Sequence, residues 1–76
     1  MVKAYIMVIT SAGTVQDVLS EIEKLDHVIE ANAVAGDYDV IVEVEADDPG
    51  DLLPTIASEM QGIDGVGNTR TYITLT

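Results

Sequence analysis

The feature that most constrains the fold of this chain is a tetrapeptide that occurs twice in similar form. The letters LDHV at positions 25–28 return as IDGV at positions 63–66, 38 positions later. Each copy follows apolar residues at helical spacing and precedes a β-branched run, so each marks a predicted helix-to-strand junction. Two similar β-α-β halves are the simplest explanation of this repeat.

The spacing of apolar residues divides the chain into six predicted elements. Strands are predicted over 2–10, 28–34, 38–46 and 66–75. One helix is predicted from its N-cap Thr14 to Leu25, and a second from its N-cap Asp51 to Gly62. This later start places Pro54 in the first turn, whereas a start at Pro49 would require a kink.

The order β-α-β-β-α-β predicts a single α+β domain over residues 1–76. Right-handed crossovers place both helices on one face of a four-stranded antiparallel sheet, with the first and third strands central. This is the ferredoxin-like arrangement. Because the chain is short, its stability should be modest, and self-association would increase it.

The net charge of the chain restricts the classes of partner that it can bind. Fourteen acidic residues against three basic ones give a formal net charge of −11, which argues against direct nucleic-acid binding. A high-salt cytoplasm is one setting for such acidity, since salt screens repulsion among surface carboxylates. The sequence shows no leader peptide and no membrane-length apolar run, so we expect a cytoplasmic protein without membrane contact.

The sheet face that the helices leave uncovered is too apolar to remain exposed to water. If one face of each strand packs on the helices, alternate residues point the other way. These are Lys3, Tyr5, Met7, Ile9, Ile41, Glu43, Glu45, Arg70 and Tyr72. Such a patch predicts a two-fold dimer packed sheet against sheet, in which Lys3 lies beside Glu43 or Glu45.

The turn Gly36-Asp37-Tyr38-Asp39 is the strongest candidate for a binding site. Its glycine permits a positive φ, and two closely spaced carboxylates in an acidic chain cost repulsion that folding does not require. Asp and Gly are also ordinary turn residues. Local chemistry therefore leaves a plain hairpin turn as the alternative.

The sequence offers little for catalysis or metal binding. His27 is the only histidine and cysteine is absent, which excludes the usual zinc ligands, and the aspartates at 47, 48 and 51 fit helix capping better than a calcium loop. No serine is placed beside a base that could activate it as a nucleophile. Asp37 and Asp39 should project to opposite sides of the strand, which is a poor arrangement for catalysis by a pair of carboxylates. We expect no enzyme activity, no metal and no cofactor.

Two segments, VAGDYD at 34–39 and IDGVGNTRTY at 63–72, together resemble a known family. The first is similar to a hydrophobic-x-Gly-x-aromatic-Asp turn, and the second to the final strand, of the effector-binding domain of leucine-responsive and asparagine-responsive transcription regulators. This is the RAM domain of the Lrp/AsnC family. The resemblance runs end to end.

The resemblance implies an amino-acid sensor that acts in transcription regulation. It implies homodimers paired through their sheets and assembled into a ring, with a small amino-acid effector held between dimers. The ligand-binding residues carried over are Gly36, Asp37, Tyr38, Asp39, Thr69 and Thr71. The family usually carries an N-terminal helix-turn-helix, but Lys3 already belongs to the first strand. We therefore expect a stand-alone domain that modulates full-length regulators by co-assembly.

Two other classes of protein remain open. A small dimeric ferredoxin-like enzyme, of the cofactorless monooxygenase or isomerase type, would need a roomy pocket within one subunit. A purely structural oligomer would share the fold and bind no ligand.

Overall fold

The computed structural model describes residues 1–75, without the side chain of Leu53. Its strands are β1 (Val2–Thr10), β2 (Val28–Ala33), β3 (Val40–Ala46) and β4 (Val66–Ile73). They form one antiparallel sheet in the order β2-β3-β1-β4. Helix α1 (Val15–Ile22) follows β1, and a helical stretch over 49–61 follows β3. The predicted ferredoxin-like α+β fold, with β1 and β3 central, is confirmed.

Alternation along the two central strands builds the core. Inward residues of β1 and β3 form the fully buried cross-strand pairs Ala4–Val44, Ile6–Val42 and Val8–Val40. Helical residues cover these pairs from one side, namely Val18, Ile22, Leu52, Ile56 and Met60. Each fully buried aliphatic side chain of this size stabilises the fold by about 1.5–3 kcal/mol. The helices therefore pack on one face of the sheet and leave the other open.

The repeated tetrapeptide corresponds to two turns with the same hydrogen bonds. After α1, the N–H of Leu25 donates to the carbonyl of Ile22 at 3.0 Å, and the N–H of Val28 donates to Leu25 at 3.3 Å. The residues 38 positions later repeat both bonds, at 3.2 and 3.1 Å. The same pair of hydrogen bonds therefore ends both helical segments and begins both edge strands, although Gly65 in the second turn has a φ of +97° and its counterpart His27 has no positive φ.

The second helical stretch starts at Pro49, earlier than predicted. Its N-cap is Asp48, whose Oδ1 accepts the N–H of Gly50 at 2.9 Å, and Asp51 makes no side-chain cap. A 3-10 turn (Pro49–Asp51), a π-helical segment (Leu52–Ala57) and α2 (Ser58–Gln61) follow in order. Since Pro54 has no N–H to donate to a regular α-helical turn, the wider π turn is where the chain accommodates it.

The ends of the other elements also differ from the prediction. Thr14 occupies the N-cap position of α1, but its Oγ1 donates to the carbonyl of Ser11 at 2.8 Å and does not cap the helix. Helix α1 ends at Ile22 and not at Leu25, because the repeated turn begins there. The loop between β2 and β3 covers 34–39 and is longer than predicted.

Candidate functional site

The sheet face opposite the helices is uncovered and carries a mixture of apolar and charged side chains. On this face Tyr5 lies between Glu43 and Tyr72 of the neighbouring strands, and Met7 lies between Ile41 and Arg70. Tyr72 is 52% exposed. We define the open face as Lys3, Tyr5, Met7, Ile9, Ile41, Glu43, Glu45, Arg70 and Tyr72. Its aromatic and aliphatic centre is the kind of surface that marks an association site.

An ion pair lies at one end of the open face. Lys3 stands opposite Glu45 in the strand register but pairs diagonally with Glu43, with 3.3 Å between Nζ and Oε2. The hydrogen bond and charge of Glu43 raise the pKa of Lys3 above its usual 10.5. A raised lysine pKa adds stability that is complete below pH 10.5 and is lost as the pH rises through the folded-state value. The contribution of this half-exposed pair is therefore constant near neutral pH and small.

Two like charges face each other across β2 and β3. Glu30 lies directly opposite Glu43. Because like charges in such cross-strand pairs are unfavourable, we expect Glu30→Gln to raise the free energy of unfolding by about 0.2–1 kcal/mol at low salt. The gain should shrink at 1 M salt, where the Debye length is about 3 Å.

Urea unfolding at both salt concentrations checks this prediction. Glu59→Gln removes an equal charge from the exposed side of α2 and serves as the control. Equal gains in the two variants would assign the effect to net charge and contradict a local repulsion.

The loop over 34–39 presents the predicted binding turn. Gly36 has a φ of +154°, and no heavy atom lies within 4 Å of the place where a Cβ would stand. Backbone conformation, and not lack of space, therefore favours glycine here. Asp37 is exposed and Tyr38 is half-buried. The turn thus offers a solvent-facing carboxylate next to a half-buried aromatic side chain.

Asp39 is half-buried and hydrogen-bonded to the end of β1. Its Oδ2 accepts the N–H of Thr10 at 2.7 Å and the hydroxyl of Thr10 at 3.3 Å. Its backbone N–H donates to the carbonyl of Val8 at 2.9 Å, and its carbonyl accepts the N–H of Val34 at 2.9 Å. The last residue of the loop is therefore fixed to the sheet.

Thr69 and Thr71 lie on the other side of β1. They stand opposite Val8 and Ile6, on the side of the sheet that faces the helices. The Oγ1 of Thr69 accepts a hydrogen bond from Nε2 of Gln61 at 3.0 Å. Since β1 separates β3 from β4, the end of the loop and Thr69 are two strand spacings apart, about 10 Å. The structure thus gathers residues 36–39 in one loop and places the two threonines apart from them.

Thr10 and Gln61 hold predicted site residues in place, although neither was among the site residues predicted from the sequence. Thr10 ends a strand whose preceding residues from Ile6 to Ile9 are all apolar, and a polar residue at such a point was a usable signal. Gln61 gave no signal of its own, because its bond to Thr69 depends on how the helical stretch packs against β4.

A surface cavity of about 570 Å³ lies between α1 and the turn that follows α2, and no residue of the loop over 34–39 lines it. It is lined by Asp17, Ser20, Glu21, Gly62, Ile63 and Asp64. In residues 1–75, no group of three or more His, Cys, Asp or Glu side chains is arranged to hold a metal ion. Within the same described residues, no helix has the length and apolar character needed to cross a bilayer.

These features define a small ferredoxin-like α+β domain with an uncovered sheet face and an acidic loop at one end of its sheet. The sequence matches the family described as the Lrp/AsnC ligand binding domain over residues 3–76. The chain belongs to this family, and the resemblance seen in its two motifs is confirmed. No curated protein matches the sequence.

Solved structures share this fold. FFRP-DM1 is 35% identical with a TM-score of 0.91, and the match covers 99% of this chain and 100% of that one. AsnC from E. coli is 30% identical with a TM-score of 0.89, and the match covers 99% of this chain but 51% of AsnC. The Neisseria meningitidis transcriptional regulator NMB0573, solved as an L-Met complex, is 20% identical with a TM-score of 0.72, covering 99% of this chain and 50% of that one. This last likeness shows the fold alone.

Proposed function

We propose that this chain senses an amino acid in transcription regulation and binds it at the loop over 34–39. The observation that carries the proposal is the exposed carboxylate of Asp37 on a sheet-anchored loop in a Lrp/AsnC ligand-binding domain. A carboxylate suits an ammonium group, and the N–H groups of a glycine turn suit a carboxylate. Tyr38 would limit the size of the side chain. The family is one of ligand-binding domains, and the L-Met complex of NMB0573, a regulator that shares the fold, makes amino acids the ligands to test first.

The open face supports assembly as the second part of the proposal. Two copies that cover each other's open faces would remove the apolar side chains of those faces from water, namely Tyr5, Met7, Ile41 and Tyr72. Arg70 makes no ion pair within residues 1–75. When two copies associate through their open faces, its guanidinium group would bind acidic side chains of the other copy. Such pairing fixes register more than it adds affinity. Pairs would then assemble into a ring, with the effector and the threonines of β4 at the contacts between them.

Co-assembly with full-length regulators of the family is the third part of the proposal. The net charge of −11 disfavours a direct approach to DNA, so the partner chains would supply the DNA contacts. The amino acid would then act on transcription through the mixed assembly.

Calorimetric titration with each of the twenty common L-amino acids tests the sensing proposal. We expect one or a few of them to bind, and to stabilise the fold by about 2.7 kcal/mol at 100 times the Kd. For a domain of this size, that corresponds to a rise in Tm of roughly 10–20 °C.

The variant Asp37→Ala should lose most of this ligand-dependent rise in Tm. Asp26→Ala removes an exposed carboxylate from the turn after α1 and should keep the rise. Absence of heat with every amino acid at millimolar concentration would count against sensing and favour a purely structural oligomer.

A further inference from the structure

The side chain of Asp39 takes the place of a backbone carbonyl at the end of the ladder between β1 and β3. The ladder between β1 and β3 ends at the pair Val8–Val40, so Thr10 has no backbone partner on β3. The Oδ2 of Asp39 accepts the N–H of Thr10 at 2.7 Å in place of a strand carbonyl. Because this side chain continues the ladder, the backbone before Asp39 is free to leave the sheet, and Asp37 reaches solvent.

The same end of β1 also contacts the second motif. The N–H of Ser11 donates to the carbonyl of Gly65 at 2.7 Å, and Thr10 lies opposite Val66 on β4. The segment from Thr10 to Ser11 therefore joins two regions that the sequence separates by more than twenty residues, the loop and the start of β4.

We infer that Asp39 is a positioning residue, which holds the loop to Thr10 and does not pair with the ammonium group of a ligand. The Oδ2 of Asp39 accepts both the N–H and the hydroxyl of Thr10, so this half-buried carboxylate is directed at the end of β1, whereas the carboxylate of Asp37 is exposed. The charge that meets the ammonium group is then that of Asp37. This assignment rests on the proposed function for Asp37, whereas the anchor to Thr10 stands independently of it.

Charge and geometry can be separated by replacing each aspartate with asparagine and with alanine. Asparagine keeps the acceptor oxygen but loses the charge. Using the amino acid that binds the wild-type chain most tightly, we expect Asp39→Asn to keep its affinity within about threefold and Asp39→Ala to lose about tenfold or more. At the other position, Asp37→Asn should lose about as much affinity as Asp37→Ala, since only the charge matters there. Equal losses in the two Asp39 variants, matching those at Asp37, would overturn the inference.

Hydrogen exchange at the amide of Thr10 gives a second readout that needs no ligand. We expect its protection to persist in Asp39→Asn and to fall at least tenfold in Asp39→Ala, while both Asp37 variants leave it unchanged. Unchanged protection in Asp39→Ala would overturn the anchor. If the wild-type chain binds none of the twenty amino acids, the proposed function and the role of Asp37 fail together. The exchange measurement still decides whether Asp39 holds the loop.

Discussion

If two copies pair through the open face as proposed, replacing Ile41 with glutamate should separate them into monomers. Ile41 lies on β3 between Met7 and Asn32, at the centre of the open face and away from the core. In a two-fold pair each copy would bury one added carboxylate, with no cation directly opposite it in its own sheet. Burying an unpaired charge costs several kcal/mol, so we expect association to weaken by roughly 10³-fold, about 4 kcal/mol. Sedimentation velocity over a concentration series measures this change.

Two variants control for the added charge and for the changed residue. Gln16→Glu adds the same charge to an exposed position of α1, on the opposite side of the sheet, and should leave association unchanged. Ile41→Val keeps the position apolar and should also associate. A wild-type chain that stays monomeric at high micromolar concentration, or an Ile41→Glu variant that associates like wild type, would contradict pairing through the open face.

The architecture of the sheet was predictable because its signals are local and repeated. The nearly continuous apolar run of β1 predicted a strand in the middle of the sheet, and alternation along β3 identified its buried face, since a strand on a one-sided core must alternate. The tetrapeptide repeat identified two equivalent turns, and the structure shows the same pair of hydrogen bonds in each. Patterns of this kind depend on neighbours in sequence and on one rule of chain geometry.

The second helical stretch was less predictable because two sequence signals competed there. Asp48 before Pro49 and Asp51 before Leu52 are both acceptable N-caps, and Pro54 favoured the later one. A regular α-helix can use only one of these caps without a kink at Pro54. The chain instead combines a 3-10 start with a π-helical segment, which allows the early cap and the proline to coexist.

The candidate site was predictable in its residue types but not in their roles. The glycine, the tyrosine and both aspartates of the turn stood out from the sequence. The inference that Asp39 positions the loop while Asp37 meets the ligand depends on Thr10, which is 29 residues from Asp39 in the chain. A contact of that range follows from strand register and from the six-residue loop, neither of which local spacing determines. The acceptor role of Asp39 therefore required the folded structure.

Gly65→Ala should be among the most destabilising single substitutions in this chain. Gly65 has a φ of +97°, and an added Cβ would lie 2.8 Å from Cγ2 of the fully buried Val18 and 2.9 Å from Oγ1 of Thr14. The left-handed conformation costs about 1–2 kcal/mol for alanine, and overpacking costs about 1–3 kcal/mol more. The expected total of about 2–5 kcal/mol is a large part of the 5–15 kcal/mol typical of a whole domain. Urea unfolding at fixed protein concentration measures this loss.

Gly13→Ala separates the two causes, because Gly13 has a φ of +80° but no heavy atom within 4 Å of an added Cβ. This variant should lose only the conformational part, about 1–2 kcal/mol. Combining Gly65→Ala with Val18→Ala removes one of the two close contacts, so the double variant should lose less than the sum of the single losses. Equal losses for the two glycines, with additive behaviour at Val18, would mean that backbone conformation alone requires glycine at the start of β4. A clearly larger loss of unfolding free energy for Gly65→Ala than for Gly13→Ala would instead show that glycine is required at position 65 because α1 packs directly against the turn that leads into β4.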